Sequence, residues 1–257
     1  MISNLSNISP KANIGKNVTI DAFASIHQDV EIGDNCHIQS NAVIYPDTVI
    51  GKDCKIFPGA VIGIMNQDLK YKGEKSNTVI GNNTTIREYA TIHKGTADRM
   101  TTKVGENCLI MCYTHIGHDC AIGNNVIIAN NGSLAGHITV QDFVIIEGVV
   151  SAQQFVTIGA HSFVAGASLV RKSIPPYIRV AREPLQFIGV NTIGLSRRGF
   201  DKEIIKQIED IYRIIFVRGH NISNAIEVVE NEIPDSAYRK EILDFIKDQK
   251  EGIVKGI

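Results

Sequence analysis

The chain has 257 residues, room for one large domain or two smaller ones, with a formal net charge of −1 and 44% hydrophobic residues. That balance excludes the basic excess of a nucleic-acid binder, and no apolar run approaches the roughly 18 residues a membrane span needs. The start, Met1-Ile2-Ser3-Asn4-Leu5, lacks a secretory signal's basic and apolar regions, and five unpaired-looking Cys read as reduced thiols, so a soluble cytoplasmic protein is expected.

From Ile8 the chain repeats every six residues: Ile8, Ile14, Ile20, Ile26, Ile32, Ile38, Ile44, Ile50, Ile56 and Ile62. The phase breaks over 63–79 and resumes at Ile80, Ile86 and Ile92. It breaks again over 98–103, then runs from Val104 to Val170. A second column of small or medium residues follows four places after each aliphatic one, as in Ala24, Cys36, Cys54, Ala60, Cys108, Thr114 and Cys120. Glycine often follows the aliphatic residue directly, as in Gly33, Gly81, Gly117 and Gly123, and is expected to relieve the backbone at a bend.

A period of six is neither helical nor a plain strand alternation. It fits a short strand followed by a sharp turn, with the aliphatic residue and the small residue both pointing inward. Three such units make one triangular coil of 18 residues, and coils stack at about 4.8 Å. The reading is a left-handed parallel β-helix of about eight coils, on the order of 40 Å long by that spacing. Aromatics are only 6% and Trp is absent, so the core is aliphatic. Four of the Cys fall in the inward column and read as core filler. The two breaks read as loops leaving the prism, where function tends to sit on a rigid scaffold.

After Val170, Ser173-Ile174-Pro175-Pro176-Tyr177 is expected to end the repeat, since proline supplies no ladder N–H. From about Asp201 apolar residues recur at three and four: Ile204, Ile208, Ile211 and Ile215, then Ile226, Val229 and Ile233, then Ile242, Phe245 and Ile246. Gly219 and Pro234 separate three expected helices, which would cap the open end of the prism. The expected organisation is a prism over 1–190 with extruded loops 63–79 and 98–103, and a helical unit over 191–257.

The stretch Thr114-His115-Ile116-Gly117-His118-Asp119-Cys120 concentrates polar chemistry. The register turns Ile116 and Cys120 inward and leaves His118 and Asp119 at or near an exterior face. One coil is 18 residues, so His118 stacks beside Gly136 and then Gln154, and Asp119 beside His137. A solvent-reachable histidine beside a carboxylate suits a general base. A surface histidine with no role is the plain alternative. A zinc site is the competing one, but the His-x4-His pair of hexapeptide metal sites is absent here.

Several segments carry a more specific signal: Asn66-Gln67-Asp68-Leu69-Lys70-Tyr71, Thr91-Ile92-His93-Lys94-Gly95-Thr96, His115 to Cys120, Leu134-Ala135-Gly136-His137, Gly189-Val190-Asn191 and Arg197-Arg198-Gly199-Phe200. With them, nearly the whole chain resembles the bacterial acyl-ACP:UDP-N-acetylglucosamine O-acyltransferases, a family of hexapeptide-repeat acyltransferases that open lipid A biosynthesis. The resemblance implies a homotrimer with sites between neighbouring prisms. It implies transfer of an (R)-3-hydroxyacyl group from acyl carrier protein, on its phosphopantetheine arm, to the 3-hydroxyl of UDP-N-acetylglucosamine, with no other cofactor and no metal.

By the same resemblance His118 is the general base, Asp119 its orienting carboxylate and the Gly136 N–H an oxyanion donor. Gln67, Asp68 and Lys70 match sugar-nucleotide and donor contacts. His115, His137 and Gln154 match further substrate contacts, and Asn191, Arg197 and Arg198 a nucleotide site. Gly166 matches the position that limits acyl length, and a glycine there implies about fourteen carbons or more rather than ten. Two residues depart from the family pattern. Gln153 stands where a sugar-contact histidine is usual, and Ile193 where a glutamate is common. They bear on acceptor preference, so the N-acyltransferase of the same pathway, or acylation of a 3-amino UDP-sugar, stands as the alternative. A zinc-dependent hydratase ranks below both.

Overall fold

The structure, a computed structural model, describes residues 1–249 and 252–256. In the aliphatic column from Ile20 to Val170, no residue is more than 5% exposed. Most hexads form a two-residue strand ending on that aliphatic residue, such as Ser25–Ile26 or Ala121–Ile122. Each strand pairs in parallel with the strand one coil on: Ser25 with Val43, Ile26 with Ile44. The result is the expected left-handed β-helix. Among the described residues its first face holds nine strands, the second eight and the third ten. The inward small column fills the corners, and Cys36, Cys54, Cys108 and Cys120 are buried free thiols there.

The bends are made differently from expectation. At most corners the residue with left-handed backbone is the third after the aliphatic one. It is Asn17, Asn35, Asp53, Asn107 or Asn125 at many corners, all with φ between 55° and 60°. Short Asn and Asp side chains tolerate that region better than most residues. The glycines that follow the aliphatic residues serve close stacking instead. A Cβ on Gly33 would lie 2.7 Å from the Gly51 carbonyl carbon, so only glycine lets the coils meet there.

Both extruded loops leave from one corner, between the first and second faces. Ile62 pairs with Ile92 and Ile92 with Ile116, where the regular separation is eighteen. The first loop is shorter than its phase break, and the second is shifted toward the N-terminus of its own. Strands Val61–Ile64 and Asn77–Ile80 flank the first, which spans 65–76. Strands Thr91–His93 and Thr101–Val104 flank the second, which spans 94–100. The ladder runs past the repeat because Asn77–Ile80 pairs in full with Thr101–Val104.

The proline pair does not end the sheet. Pro175 and Pro176 sit in a turn, and strand Ile178–Ala181 rejoins the third face beside Phe163–Val164. It then folds back antiparallel on Gln186–Val190. Among the described residues four helices follow rather than three: α1 Thr192–Arg197, α2 Lys202–Phe216, α3 Ile222–Glu232 and α4 Ala237–Asp248. α1 is too short to show a periodicity. Helix α2 packs on strand Gln186–Val190 and on α3. Its wholly buried Tyr212 donates to the Pro176 carbonyl at 2.6 Å, tying the helices to the last turn of the prism. Residues 250, 251 and 257 of the expected helical unit lie outside the described residues.

The core depends on filled volume, since interiors are close-packed and a deleted side chain leaves a cavity. Ile110 is 0% exposed. Ile110→Ala is expected to cost about 2–5 kcal/mol, read as a lower thermal midpoint. An unchanged midpoint would mean the stack can close over missing side chains.

Candidate active site

The turn that carries His118 and Asp119 joins strands His115–Ile116 and Ala121–Ile122, at the corner from which both loops leave. The coil spacing holds here. The His137 N–H donates to the His118 carbonyl at 2.9 Å, and Phe155 N–H to the Gly136 carbonyl at 3.4 Å. Gly136 lies directly under the His118 ring: a Cβ on it would stand 2.5 Å from both Cε1 and Nε2. The Gly136 N–H makes no hydrogen bond among the described residues, so it is free to donate at this corner.

Asp119 is wholly buried and fully engaged. Its Oδ1 accepts the N–H groups of Thr96 at 2.9 Å and Arg99 at 3.2 Å. Its Oδ2 accepts the Thr96 hydroxyl at 2.6 Å and meets His118 Nδ1 at 2.8 Å. The Arg99 guanidinium reaches the Asp119 carbonyl at 2.9 Å. Burial pushes the carboxyl's pKa up, but the donors from Thr96 and His118 outweigh it and hold Asp119 below the usual carboxylate value. An ionised carboxylate only accepts, so in the neutral tautomer it selects, His118 Nδ1 carries the proton and Nε2 the lone pair.

His118 is 6% exposed, which overturns the expected solvent-reachable histidine. The register correctly turns it away from the core. The two loops then fold over the corner and cover it, with Asp68 Oδ2 of the first loop 3.9 Å from His118 Nε2. The His137 ring stands edge-on to His118 with centroids 4.9 Å apart, and stacks on Phe155 at 4.6 Å. His137 Nδ1 lies 3.0 Å from Asp98 Oδ2, yet off the line of a hydrogen bond, which leaves that nitrogen unsatisfied.

The other expected residues divide into groups. His115 is half-buried beside the dyad and bonds the Thr91 hydroxyl through Nδ1 at 2.8 Å. Gln67, Lys70, Gln153 and Gln154 are exposed around the same corner. Asn191 and Arg198 belong to the next corner, around His161. Asn191 Nδ2 donates to the His161 carbonyl at 2.8 Å while its Oδ1 caps α1. Arg198 donates to the Phe143 carbonyl at 2.9 Å, and Arg197 is exposed nearby on α1. Gly166 is on the third corner, stacked over Gly148. One prism therefore does not gather these groups into a single site.

Two groups were missed from sequence. His93 is buried edge-on to His115, with centroids 4.7 Å apart. Its signal was present but displaced, because the second loop lengthens the coil that separates them. Thr96, Asp98 and Arg99 sit in that loop, where no register assigns direction.

His118, Asp119 and His137 offer ligand atoms all within 4.8 Å of one another, the geometry a metal reading would require. Their donors are already committed, however. Both Asp119 oxygens hold two hydrogen bonds each, one from His118 itself, and Arg99 brings positive charge against the same turn. A cation there would have to displace the dyad's own bonds, so the residues do not fit a resident zinc.

Several buried histidines favour the neutral form. Burial, then the charges of His115 and His118, lowers His93 to about 4. Burial, then Arg198, lowers His161 to about 4. Burial likewise lowers His115 and His137. These folded values lie below the unfolded value near 6.5, so the unfolded chain binds protons first as pH falls. The stabilisation is complete above about pH 6.5 and is lost progressively toward pH 4. The thermal midpoint should be flat from pH 8 to 7 and fall below 6.5, with a shallower fall for His161→Phe. A midpoint independent of pH across that window would contradict this.

Comparison with known proteins agrees with this architecture. The family model for domain 2 of UDP-N-acetylglucosamine O-acyltransferases matches residues 174–254, and that for bacterial transferase hexapeptide repeats matches 11–46, 32–64 and 101–136. The acyl-ACP–UDP-N-acetylglucosamine O-acyltransferase of Burkholderia orbicola is 39% identical over 201 residues, covering 76% of this chain and 77% of that relative. The chain belongs to this family. The family's enzyme from Myxococcus xanthus is 40% identical over 197 residues, 76% of each chain. The crystal structure of the UDP-N-acetylglucosamine acyltransferase of Bacteroides fragilis is 46% identical with a TM-score of 0.98, covering 99% of this chain and 100% of that one. The Arabidopsis counterpart is 30% identical with a TM-score of 0.86, covering 100% and 99%.

Proposed function

We propose that this chain moves an (R)-3-hydroxyacyl group from the phosphopantetheine thioester of acyl carrier protein to the 3-hydroxyl of UDP-N-acetylglucosamine, the first step of lipid A biosynthesis. The observation that carries the mechanism is the buried His118–Asp119 pair, with Nδ1 held by the carboxylate and Nε2 free over Gly136. His118 Nε2 takes the hydroxyl proton as the oxygen attacks the thioester carbonyl. Asp119 stabilises the imidazolium that forms. The unpartnered Gly136 N–H meets the oxyanion, a role worth about 3–4 kcal/mol. Collapse expels the thiolate, which takes the proton back from His118.

The remaining roles follow the same reading. Asp68, Gln67 and Lys70 hold the sugar nucleotide or the donor beside the dyad. His115, His137, Gln153 and Gln154 line the acceptor. Asn191, Arg197 and Arg198 hold the nucleotide, where an arginine fork suits phosphate. These groups, with Gly166, occupy three corners of one prism, so one ligand can meet them all only if copies of the chain pack side by side. A homotrimer is therefore part of the proposal. So is a cytoplasmic place of action, since both substrates are water-soluble. Among the described residues no helix is long and apolar enough to cross a membrane.

The test supplies purified protein with UDP-N-acetylglucosamine or its 3-amino analogue, and acyl-ACP of ten to sixteen carbons, with mass spectrometry of the product. The expected product is the O-acylated sugar, fastest at about fourteen carbons or more. Turnover of the amino sugar alone would replace this reading with N-acylation. A ten-carbon optimum would remove Gly166 as the length determinant.

A further inference from the structure

We propose that Thr96 is a positioning residue for the acyl transfer, acting through Asp119, and that loop 94–100 is the clamp that carries it. The inference rests on the proposed function for its kinetic part. Its geometric part stands alone. Thr96 is buried and gives Asp119 two donors, the backbone N–H to Oδ1 and the hydroxyl to Oδ2. The Oδ2 atom is the one that meets His118 Nδ1. The Thr96 hydroxyl therefore fixes the oxygen that sets the tautomer and direction of the His118 ring.

The loop is built to hold this hydroxyl still. The Gly95 carbonyl accepts from Ser76 Oγ at 2.6 Å and from Asn66 Nδ2 at 3.2 Å, both in the first extruded loop. Glu74 of that loop accepts the Ala97 N–H at 2.9 Å. Thr96 itself accepts the Met100 N–H at 2.7 Å, closing the loop into one turn. At ordinary corners the left-handed residue's N–H bonds a carbonyl one coil back, as Asp53 does with Asp34. At Asp119 the interrupted coil offers the Thr102 hydroxyl instead, at 2.8 Å. Thr102, just past the clamp, thus replaces a missing rung of the ladder, and the clamp itself supplies the donors that the Asp119 carboxylate needs.

The physical reason is that a carboxylate with no solvent must be hydrogen-bonded to stay charged, and a protonated Asp119 would bring no negative charge to the imidazolium of His118. The charged and titratable groups facing the pair are His93, His115, His137, Arg99, Asp68, Asp98 and Glu74. None of these side chains donates a hydrogen bond to an Asp119 carboxylate oxygen.

Thr96→Val keeps the shape and the backbone N–H but removes the hydroxyl donor, and Thr96→Ser keeps it. We expect kcat of the valine variant to fall roughly tenfold to a hundredfold, the size of one hydrogen bond to a charged group, with KM for the sugar nucleotide little changed. The acid limb of its pH–rate profile should move to higher pH, because the carboxylate has lost a donor that favoured its charged form. The serine variant should restore both. Nitrogen-15 NMR of the imidazole reads the His118 tautomer without turnover, and it should change in the valine variant alone. Absence of acyl transfer by the wild type would overturn the proposed function while leaving this readout intact. A valine variant with the wild-type tautomer, or with wild-type kcat and acid limb, would overturn the clamp. Equal losses in valine and serine variants would do the same.

Discussion

His118→Ala lowers turnover roughly 10²–10⁴-fold, the usual contribution of a positioned general base, and leaves the fold in place. The loss is confined to chemistry for a structural reason. His118 belongs to a corner rather than to the aliphatic column, so its removal opens no hole in the core. Asp119 is not orphaned either, because Thr96 and Arg99 still donate to both its oxygens. The expected result is a near-normal thermal midpoint with kcat and kcat/KM falling together, as for an interaction made in the transition state. The measurement is steady-state kinetics with both substrates varied, beside thermal unfolding of the same preparations. Activity within tenfold of wild type would remove His118 from the base role. A collapsed midpoint would instead mean that the histidine is structural.

Gly136→Ala is the second large effect, and it isolates geometry from chemistry. No catalytic atom is deleted, and the change adds one methyl group. That methyl would stand 2.5 Å from His118 Cε1 and Nε2 and 3.0 Å from Cδ2. The ring must swing away, and its anchor is the 2.8 Å bond from Nδ1 to Asp119. The methyl also occupies the space over which the free Nε2 faces an acceptor. We expect a kcat loss of at least about a hundredfold, since a misplacement on the order of 1 Å is enough for that. The cost in stability should stay within about 1–3 kcal/mol, the range for an overpacked site. A variant that loses its fold would show that the ring cannot move. One that keeps full activity would show that it can move without consequence, which the reactive geometry does not allow.

The prism was legible because its physics is local and repetitive. Each hexad buries one aliphatic residue and one small one, and eighteen residues close a coil whatever the rest of the chain does. Counting therefore put Gly136 beside His118 and His137 beside Asp119, and the structure agrees. The same counting failed wherever residues leave the repeat. It set the loop limits at 63–79 and 98–103 because it tracked side-chain direction, whereas the strands leave the sheet after Ile64 and His93 and rejoin it at Asn77 and Thr101. It left His118 open to solvent because no register describes loops 65–76 and 94–100. It also assigned the bends to glycine, whereas Asn, Asp and several aromatic residues take the left-handed backbone at most corners and the glycines after the aliphatic residues serve the contact between coils.

By itself the sequence determined the β-helix, the stacking of His118, Gly136 and Gln154, and the helical cap after the last coil, because period and hydrophobicity dictate each one locally. Only the tertiary structure decided that both extruded loops fold over the His118 corner, that Thr96 and Arg99 complete the bonding of Asp119, and that Asn191 and Gly166 stand on other corners. Those outcomes depend on contacts between segments with no common repeat, whose hydrogen bonds form only when the stacked coils bring them together.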